Sequence, residues 1–318
     1  MSSEKYLSRG VSADKSEVHE AIKGLDKGLF PYSFCKILPD FLTGDEAYCT
    51  LMHADTAGTK TSLAYMYWKE TGDISIWKGI VQDALVMNTD DMACSGCLND
   101  IIVSSTIGRN KHLISGEVIK VLIQAAQEFF EEMSRHGVSI HSAGGETADV
   151  GDIVRTADVG FTAFARMKRA DVIDVKIHEG NYIVGLASYG QATYESSYNG
   201  GMGSNGLTSA RHDVFASVYR DKYPETFDHN TDINFIYSGS KLLTDVIDIN
   251  GTMIPLGKLV LSPTRTFLPI LKKIIPQHKE AITGIIHNTG GGDTKVTKNL
   301  NKPLPIVKDK LLTVPPLF

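Results

Sequence analysis

Val138-Ser139-Ile140-His141-Ser142-Ala143-Gly144-Gly145-Glu146-Thr147-Ala148-Asp149 is the stretch from which the rest of the chain can be read. A short apolar run, Val138-Ser139-Ile140, leads into two adjacent glycines, an acid and a hydroxyl. Adjacent glycines let backbone N–H groups approach an anion closely. The acid beside them can hold a divalent cation that the same anion shares. The expectation is a turn at a strand end that receives a nucleotide phosphate with magnesium. Asp55-Thr56-Ala57-Gly58-Thr59-Lys60 repeats the theme much earlier in the chain. It offers a carboxylate for metal, a glycine for close approach and a lysine for phosphate charge. It is not a Walker A loop, because the Gly-x-x-x-x-Gly-Lys-Ser/Thr spacing is absent.

The flanks of both motifs read as alternating strands and helices. Upstream of Asp55, Tyr48 to His53 reads as a strand; downstream, Ser62 to Lys69 reads as a helix or a second strand. A helix is predicted over about 74–95, with Ile76, Ile80, Ala84, Met87 and Met92 as its apolar stripe and Gly96 as its stop. Asp100 to Thr106 is β-rich. A strongly amphipathic helix covers about 115–136: Ser115 caps it, Glu117 favours its positive end, and Val118, Leu122, Ala125, Phe129 and Met133 form its buried stripe. Gly137 supplies a left-handed stop. Asp158 to Met167 alternates like a strand returning into a sheet, and Lys168-Arg169-Ala170 looks like a domain edge. Beyond it, strands are predicted at 181–187 and 282–287, helices at 208–220, 239–249 and 265–275, and a glycine-rich loop at 190–206. In mixed α/β folds, ligands collect at such strand ends.

Bulk properties narrow the function. A chain of 318 residues can bury a large core, and 42% hydrophobic with 22% charged residues is an ordinary globular composition. A formal net charge of −5 gives no whole-molecule attraction to nucleic acid or to an anionic membrane. No apolar run reaches the length of a membrane span, and the N-terminus lacks the apolar core of a signal peptide. Four cysteines without a secretion signal point to a reducing compartment, with cytoplasm the default. Cys94 and Cys97 form a lone C-x-x-C without a second ligand pair, and they read as core-packing thiols.

Three acids, Asp83, Asp90 and Asp91, lie on the predicted helix 74–95. Asp83 and Asp90 fall about 20° apart around its axis, with Asp91 about 80° from Asp83. Asp83 and Asp91 are separated by a rise of about 12 Å, so they cannot share one ion directly. They sit among Val86, Met87, Met92 and Ala93, in a segment too apolar for a solvated face. Gly201-x-Gly203-x-x-Gly206 has dinucleotide spacing, but no strand feeds its first glycine, which favours a substrate loop or a surface loop. Arg265, in Pro263-Thr264-Arg265, can pin a phosphate or form an ion pair. His287, ahead of Thr289-Gly290-Gly291-Gly292, can serve as acid or base or can be a satisfied histidine at a strand end.

Taken together, these stretches resemble the phosphoribosylformylglycinamidine cyclo-ligase (aminoimidazole ribonucleotide synthetase) family. The matches run in order: Tyr6 to Val11, Asp55 to Lys60 with Thr56 and Ala57 differing, Asp83 and Asp91, Gly144 to Ala148 in full, Ser204 to Gly206, Pro263 to Arg265, and Thr289 to Gly292. The wider superfamily includes thiamine-monophosphate kinase, selenophosphate synthetase and a hydrogenase maturation protein. Gly-Gly-Glu-Thr favours the purine branch. Two departures stand out. Gly203 occupies the place of a histidine common before Ser-Asn-Gly, inside what looks like an insertion from about Thr193 to Met202, and the chain ends 26 residues after Gly292.

The resemblance implies a mixed α/β fold of two domains, 1–170 for ATP, metal and dimerisation and 171–318 as a shortened α/β domain. The first domain is expected to pair with that of a second copy through its strands, making a homodimer. The implied reaction closes the imidazole ring of a ribonucleotide purine precursor with ATP and Mg2+. The implied roles are Asp55, Asp83, Asp91 and Glu146 on metal, and Gly58, Thr59, Lys60, Gly144, Gly145 and Thr147 on ATP. Ser204, Asn205, Gly206, Thr264, Arg265, Gly290 and Gly291 face the small-molecule substrate, and Lys60, Asp91 and His287 act in catalysis. The alternatives are a phosphotransferase of the same superfamily, such as a thiamine-phosphate kinase, and an ATP-binding homologue without activity.

Overall fold

A computed structural model describes residues 2–12, 16–300 and 302–315. Its centre is a mixed five-stranded sheet. The strands are β1 (Ile37–Pro39), β2 (Tyr48–Thr56), β3 (Ile101–Arg109), β4 (Ile140–Asp149) and β5 (Ala157–Lys168), in the order β1-β2-β5-β3-β4. Only the β3–β4 pair is parallel. In β5 the side chains of Ala157, Val159, Phe161, Ala163, Ala165 and Met167 are buried on one face, which is the period-two signature of a half-covered strand. That face is covered by helices. Ahead of the sheet come α1 (Ser2–Ser8) and α2 (Ser16–Ala21); within it come α3 (Lys60–Thr71), α4 (Trp77–Cys94) and α5 (Gly116–Arg135). Helix α4 packs against β2, β5 and α5.

Helix α5 buries Val118, Leu122, Ala125, Phe129 and Met133, the whole expected stripe, and Gly137 takes the left-handed conformation after it. Ser115 stands at the N-cap, but its hydroxyl makes no capping bond. Residues 62–69 are helical, within α3. Helix α4 is buried nearly all round, so its acids must find partners inside the protein.

The paired glycines correct one expectation. Gly144 and Gly145 lie inside β4, not in a turn at its end. The register with β3 slips between Val103 and Ser105, and a Cβ on Gly145 would stand 2.0 Å from Ser105 Oγ and 2.5 Å from its carbonyl oxygen. Gly145 is thus required by strand-to-strand approach at a bulge.

The second half has less regular structure than its pattern suggests. It holds α6 (Leu207–Val214), α7 (Val218–Lys222), a hairpin of β6 (Val246–Ile249) and β7 (Thr252–Pro255), α8 (Leu256–Val260) and α9 (Leu268–His278). The helix predicted over 208–220 is broken at Phe215 and Ala216, whose backbones bridge to Lys241 and Gly239. The helix predicted over 239–249 is instead the approach to the hairpin, which turns at Asn250 (φ 53°) and Gly251 (φ 85°). Residues 181–187 and 282–287 carry apolar, β-prone side chains but form no strand. Tyr182 is 96% exposed and Val184 82%. β-propensity alone does not make a ladder without a neighbouring strand to pair with. All four cysteines are buried and in no disulfide. Among the described residues no helix is long and apolar enough to cross a membrane.

Two acids of α4 fasten the second half to the first. Lys60 is wholly buried; its Nζ donates to Asp83 Oδ1 (2.8 Å) and to the Ser262 carbonyl (2.7 Å). The same Asp83 oxygen accepts from the Thr264 backbone N–H (2.8 Å) and hydroxyl (2.6 Å). Two turns further along the same face, Asp90 accepts from the Thr266 hydroxyl (2.8 Å) and the Phe267 N–H (2.6 Å). Gln82 Nε2 donates to the Thr264 carbonyl (2.9 Å). The segment 262–267 is therefore held by α4 at Thr264, Thr266 and Phe267, and by Lys60 of α3 at Ser262.

Two outcomes are expected. Gly145→Ala should destabilise the fold by about 1–3 kcal/mol through overpacking against Ser105, whereas Gly203→Ala, with open space around it, should be close to neutral; urea unfolding measures both. Burial raises the Asp90 carboxyl to about 6, against the partial opposition of nearby His287 and its own hydrogen bonds. A raised carboxyl stabilises the fold below the unfolded-state pKa of about 3.9, and that contribution is lost as pH climbs through the folded value. The stability difference between wild type and Asp90→Asn should therefore shift against wild type between pH 4 and 7; a constant difference would contradict this.

Candidate functional site

Asp91 is turned about 100° from Asp90 around α4 and faces the end of β2 instead of segment 262–267. His287 Nδ1 lies 2.7 Å from its Oδ1, and His53 Nε2 lies 3.3 Å from its Oδ2. Burial pushes the Asp91 carboxyl up, but the hydrogen bonds from His287 and His53 outweigh that and hold it down at about 2. Burial pulls the His53 imidazole down, and its contacts with Asp91 and Asn88 more than reverse this, so its pKa is raised. Asp91 is thus a carboxylate at any ordinary pH, and its side chain is 14% exposed. Asp83 has the opposite setting. Burial raises its carboxyl pKa, its Oδ2 has no partner among the described residues, and Lys60 covers its other oxygen.

Three glycine-bearing loops meet near Asp91. The loop 55–60 leaves β2 with Asp55 exposed, its Oδ1 accepting from the Thr56 N–H (2.7 Å). Ser204 Oγ donates to the Ala57 carbonyl (2.6 Å), and the hydroxyls of Thr59 and Thr208 are bonded to each other. Gly58 holds φ at 62°, and a Cβ there would stand 3.6 Å from the Ser204 Cβ. Gly206, at φ 80°, opens α6. A Cβ on Gly290 would stand 3.5 Å from Asn205 Nδ2, which brings the third loop alongside the second. Lys295 Nζ donates to the His287 carbonyl (2.9 Å) and to the Thr289 hydroxyl (3.3 Å), holding that loop in shape. Asp55, Gly58, Thr59, Ser204, Asn205, Gly206, Gly290, His287 and Asp91 are therefore grouped, and Gly291 follows in the same loop at φ 86°.

Other expected residues lie elsewhere. Gly144, Gly145, Glu146 and Thr147 are exposed on β4, the outer strand. Across the sheet Asp55 pairs with Phe161, Phe161 with Ser105, and Ser105 with Gly145. Three strand spacings make that about 14 Å. By register Glu146 faces outward with Thr106, away from α4, and its carboxylate accepts from the neighbouring Thr147 N–H (3.1 Å). Among the described residues no three His, Cys, Asp or Glu side chains converge tightly enough to hold a metal ion unaided.

Thr264 is spent on Asp83, and Arg265 is buried. Arg265 grips both oxygens of Glu195, at 2.9 Å for Nε with Oε1, and donates to the carbonyls of Ala187 (2.8 Å), Tyr189 (2.9 Å) and Gly190 (3.0 Å). Asn199 Nδ2 reaches the Pro263 carbonyl (2.8 Å), and Gly200 N–H donates to Ser262 Oγ (2.9 Å). The loop 187–200 is built around Arg265 and seated on the segment that α4 holds.

Sequence reasoning passes over His53, Asn88 and Glu195. His53 is two residues before Asp55 on a strand, so period two puts both side chains on one face. Asn88 is an amide in the most apolar helix of the first half, between Asp83 and Asp91. Either placement is a signal in the sequence itself.

Residues 39–167 match the family model described as AIR synthase related protein, N-terminal domain. Over a longer span the chain is similar to the phosphoribosylformylglycinamidine cyclo-ligase of Methanococcus vannielii, 27% identical over 277 residues that cover 85% of this chain and 63% of the relative. It is similar to the enzyme of the same name from Methanocaldococcus jannaschii, 26% identical over 274 residues covering 82% and 64%. The corresponding enzyme of Thermococcus kodakarensis is 26% identical over 301 residues covering 90% and 72%. The chain thus spans just under two thirds of the length of the first two relatives. Among solved structures, the protein tt0281 from Thermus thermophilus overlays with a TM-score of 0.37 at 11% identity, covering 53% of this chain and 48% of that one. The mixed sheet with helices on one face and the ordered motifs agree with the match of residues 39–167 to the AIR synthase related N-terminal domain, to which that part of the chain is similar.

Proposed function

We propose that this chain carries out ATP-dependent ring closure of formylglycinamidine ribonucleotide to aminoimidazole ribonucleotide, releasing ADP and phosphate. The observation that carries the reading is the meeting of loops 55–60, 204–206 and 287–292 beside Asp91. Three motifs far apart in sequence, each expected to serve nucleotide or substrate, share one neighbourhood. The named relatives favour the purine reaction over phosphotransfer to a stable product.

The chemistry suits such a site. A formyl amide oxygen is a poor leaving group. Transfer of the γ-phosphoryl group to that oxygen gives an iminophosphate; the internal amine nitrogen then attacks the same carbon, phosphate departs with the oxygen, and the ring is closed. Positioning and charge neutralisation supply most of the rate, so glycine loops and acids suffice. Gly58 and Thr59 would hold phosphate oxygens with backbone N–H groups, and Ser204, Asn205, Gly206, Gly290 and Gly291 would face the ribonucleotide. Asp91 and Asp55 fit a magnesium ion, because such an ion is usually held by one or two carboxylates together with substrate phosphates. When bound, it would neutralise charge building on the transferred phosphoryl group. His287, buried and held against Asp91 through Nδ1, would be the group that moves a proton. Lys60, Asp83, Thr264 and Arg265 would support the site from beneath, since their polar atoms are already engaged.

A homodimer is part of the proposal. The sheet face opposite the helices leaves Met52 59% and Ile102 43% exposed, an apolar surface suited to a second copy. Glu146 lies on that outer face, away from Asp91 of its own chain, so in the proposed dimer it would face the second copy.

Purified protein given ATP, magnesium and formylglycinamidine ribonucleotide should yield the aminoimidazole product and inorganic phosphate in equal amounts. Asp91→Asn should cut turnover at least about tenfold, an effect much larger than its cost to folding. Phosphoryl transfer to a stable product would favour the kinase alternative, and nucleotide binding without turnover would favour an inactive homologue.

A further inference from the structure

His53 has a fixed tautomer. Asn88 Nδ2 donates to the Ala84 carbonyl (2.8 Å) and also points toward the Asp55 carbonyl (3.5 Å). The amide's other atom, Oδ1, is therefore the one that faces His53 Nδ1 at 3.1 Å. A carbonyl oxygen only accepts, so Nδ1 carries a proton. Nε2 is left as the end of the ring that faces Asp91 Oδ2, at 3.3 Å.

A hydrogen-bond acceptor that fixes the far nitrogen is how imidazoles are oriented toward metal ions. A nitrogen and an oxygen 3.3 Å apart subtend about 100° at an ion about 2.1–2.2 Å from each, within the range of ordinary coordination. His53 also leaves β2 on the same face as Asp55, about 7 Å along the strand. The imidazole, the Asp91 carboxylate and the first residue of the glycine loop thus border one space. Among the described residues these side chains do not close a site by themselves, which leaves positions for phosphate oxygens and water.

We propose that His53 is a nitrogen ligand of the divalent cation held by Asp91, giving this chain a preference for transition ions over magnesium. The proposal rests on the reading of Asp91 given above. An all-oxygen site suits Mg2+, whereas adding imidazole favours ions of the Mn2+ to Zn2+ series. Asp91 keeps its orientation because His287 Nδ1 holds its other oxygen at 2.7 Å.

The test uses Mn2+ as a paramagnetic probe, bound to the full chain with a non-hydrolysable ATP analogue. Pulsed electron paramagnetic resonance should show coupling from a directly bound nitrogen-14 in wild type. In His53→Gln that coupling should vanish, Mn2+ affinity should fall about tenfold, and Mg2+ affinity, measured by competition, should change less than about twofold, as expected for an ion that prefers oxygen ligands. Unfolding midpoints establish that the variant is folded. Bound Mn2+ that shows no nitrogen coupling in wild type, or coupling that survives His53→Gln and disappears in His287→Gln, overturns the role of His53 while leaving Asp91 as a ligand. Mn2+ affinity that is unchanged in Asp91→Asn overturns both.

Discussion

The carboxylates of α4 are the constraint on which the rest of the structure depends. A helix buried on nearly every side cannot carry acids unless each has a partner. Asp83 finds Lys60 and Thr264; Asp90 finds Thr266 and Phe267; Asp91 finds two histidines. The first two partnerships draw segment 262–267 onto the helix, and that segment carries the loop built around Arg265 and Glu195. Removing one member of a buried pair such as Lys60–Asp83 costs about 3–5 kcal/mol, because the other charge is left unpaired in the interior. The pair is therefore better understood as fixing where the second half sits than as adding to its stability. Asp91, one residue beyond Asp90, is turned by the helical pitch away from that seam and toward the loops.

How much of this can be read in advance follows from the physical signals available. Helix α5 is legible residue by residue, because one face is buried and the other wet. Strand β5 is legible for the same reason with period two. Helix α4 is visible too, but its stripe says little about orientation, since a helix buried all round has no polar face. The glycine pair at Gly144 reads as a strand-end turn because spacing alone does not separate a glycine needed for an anion from one needed for a neighbouring strand; Ser105 Oγ decides the matter at Gly145. In the second half, Ile249-Asn250-Gly251-Thr252 is a strong hairpin signal that helical spacing around it obscures. The apolar runs at 181–187 and 282–287 show the converse error, a strand-like composition with no partner strand.

For the site, the ordered motifs at 55–60, 204–206 and 287–292 meet near Asp91, whereas Gly144 to Thr147, expected at the same site, lie on the outer strand. They do not reveal how each side chain is employed. Lys60 and Arg265 look like phosphate ligands when only residue type is considered. In the folded chain both cations are already neutralised, by Asp83 and by Glu195. His53 and Asn88 escape notice because the function proposed for them depends on a contact between β2 and α4 that no local pattern announces. Long-range pairing of a strand residue with a helix residue is visible only once the sheet is assembled.

The division of labour along α4 can be measured directly by comparing Asp83→Asn with Asp91→Asn in the same preparation, recording both the unfolding midpoint and the affinity of the folded protein for Mn2+ with an ATP analogue. Asp83→Asn should lower the midpoint strongly and leave affinity within about threefold, while Asp91→Asn should lower the midpoint less and lose at least about tenfold in affinity. An Asp83→Asn variant that folds normally but no longer binds the cation would contradict this assignment.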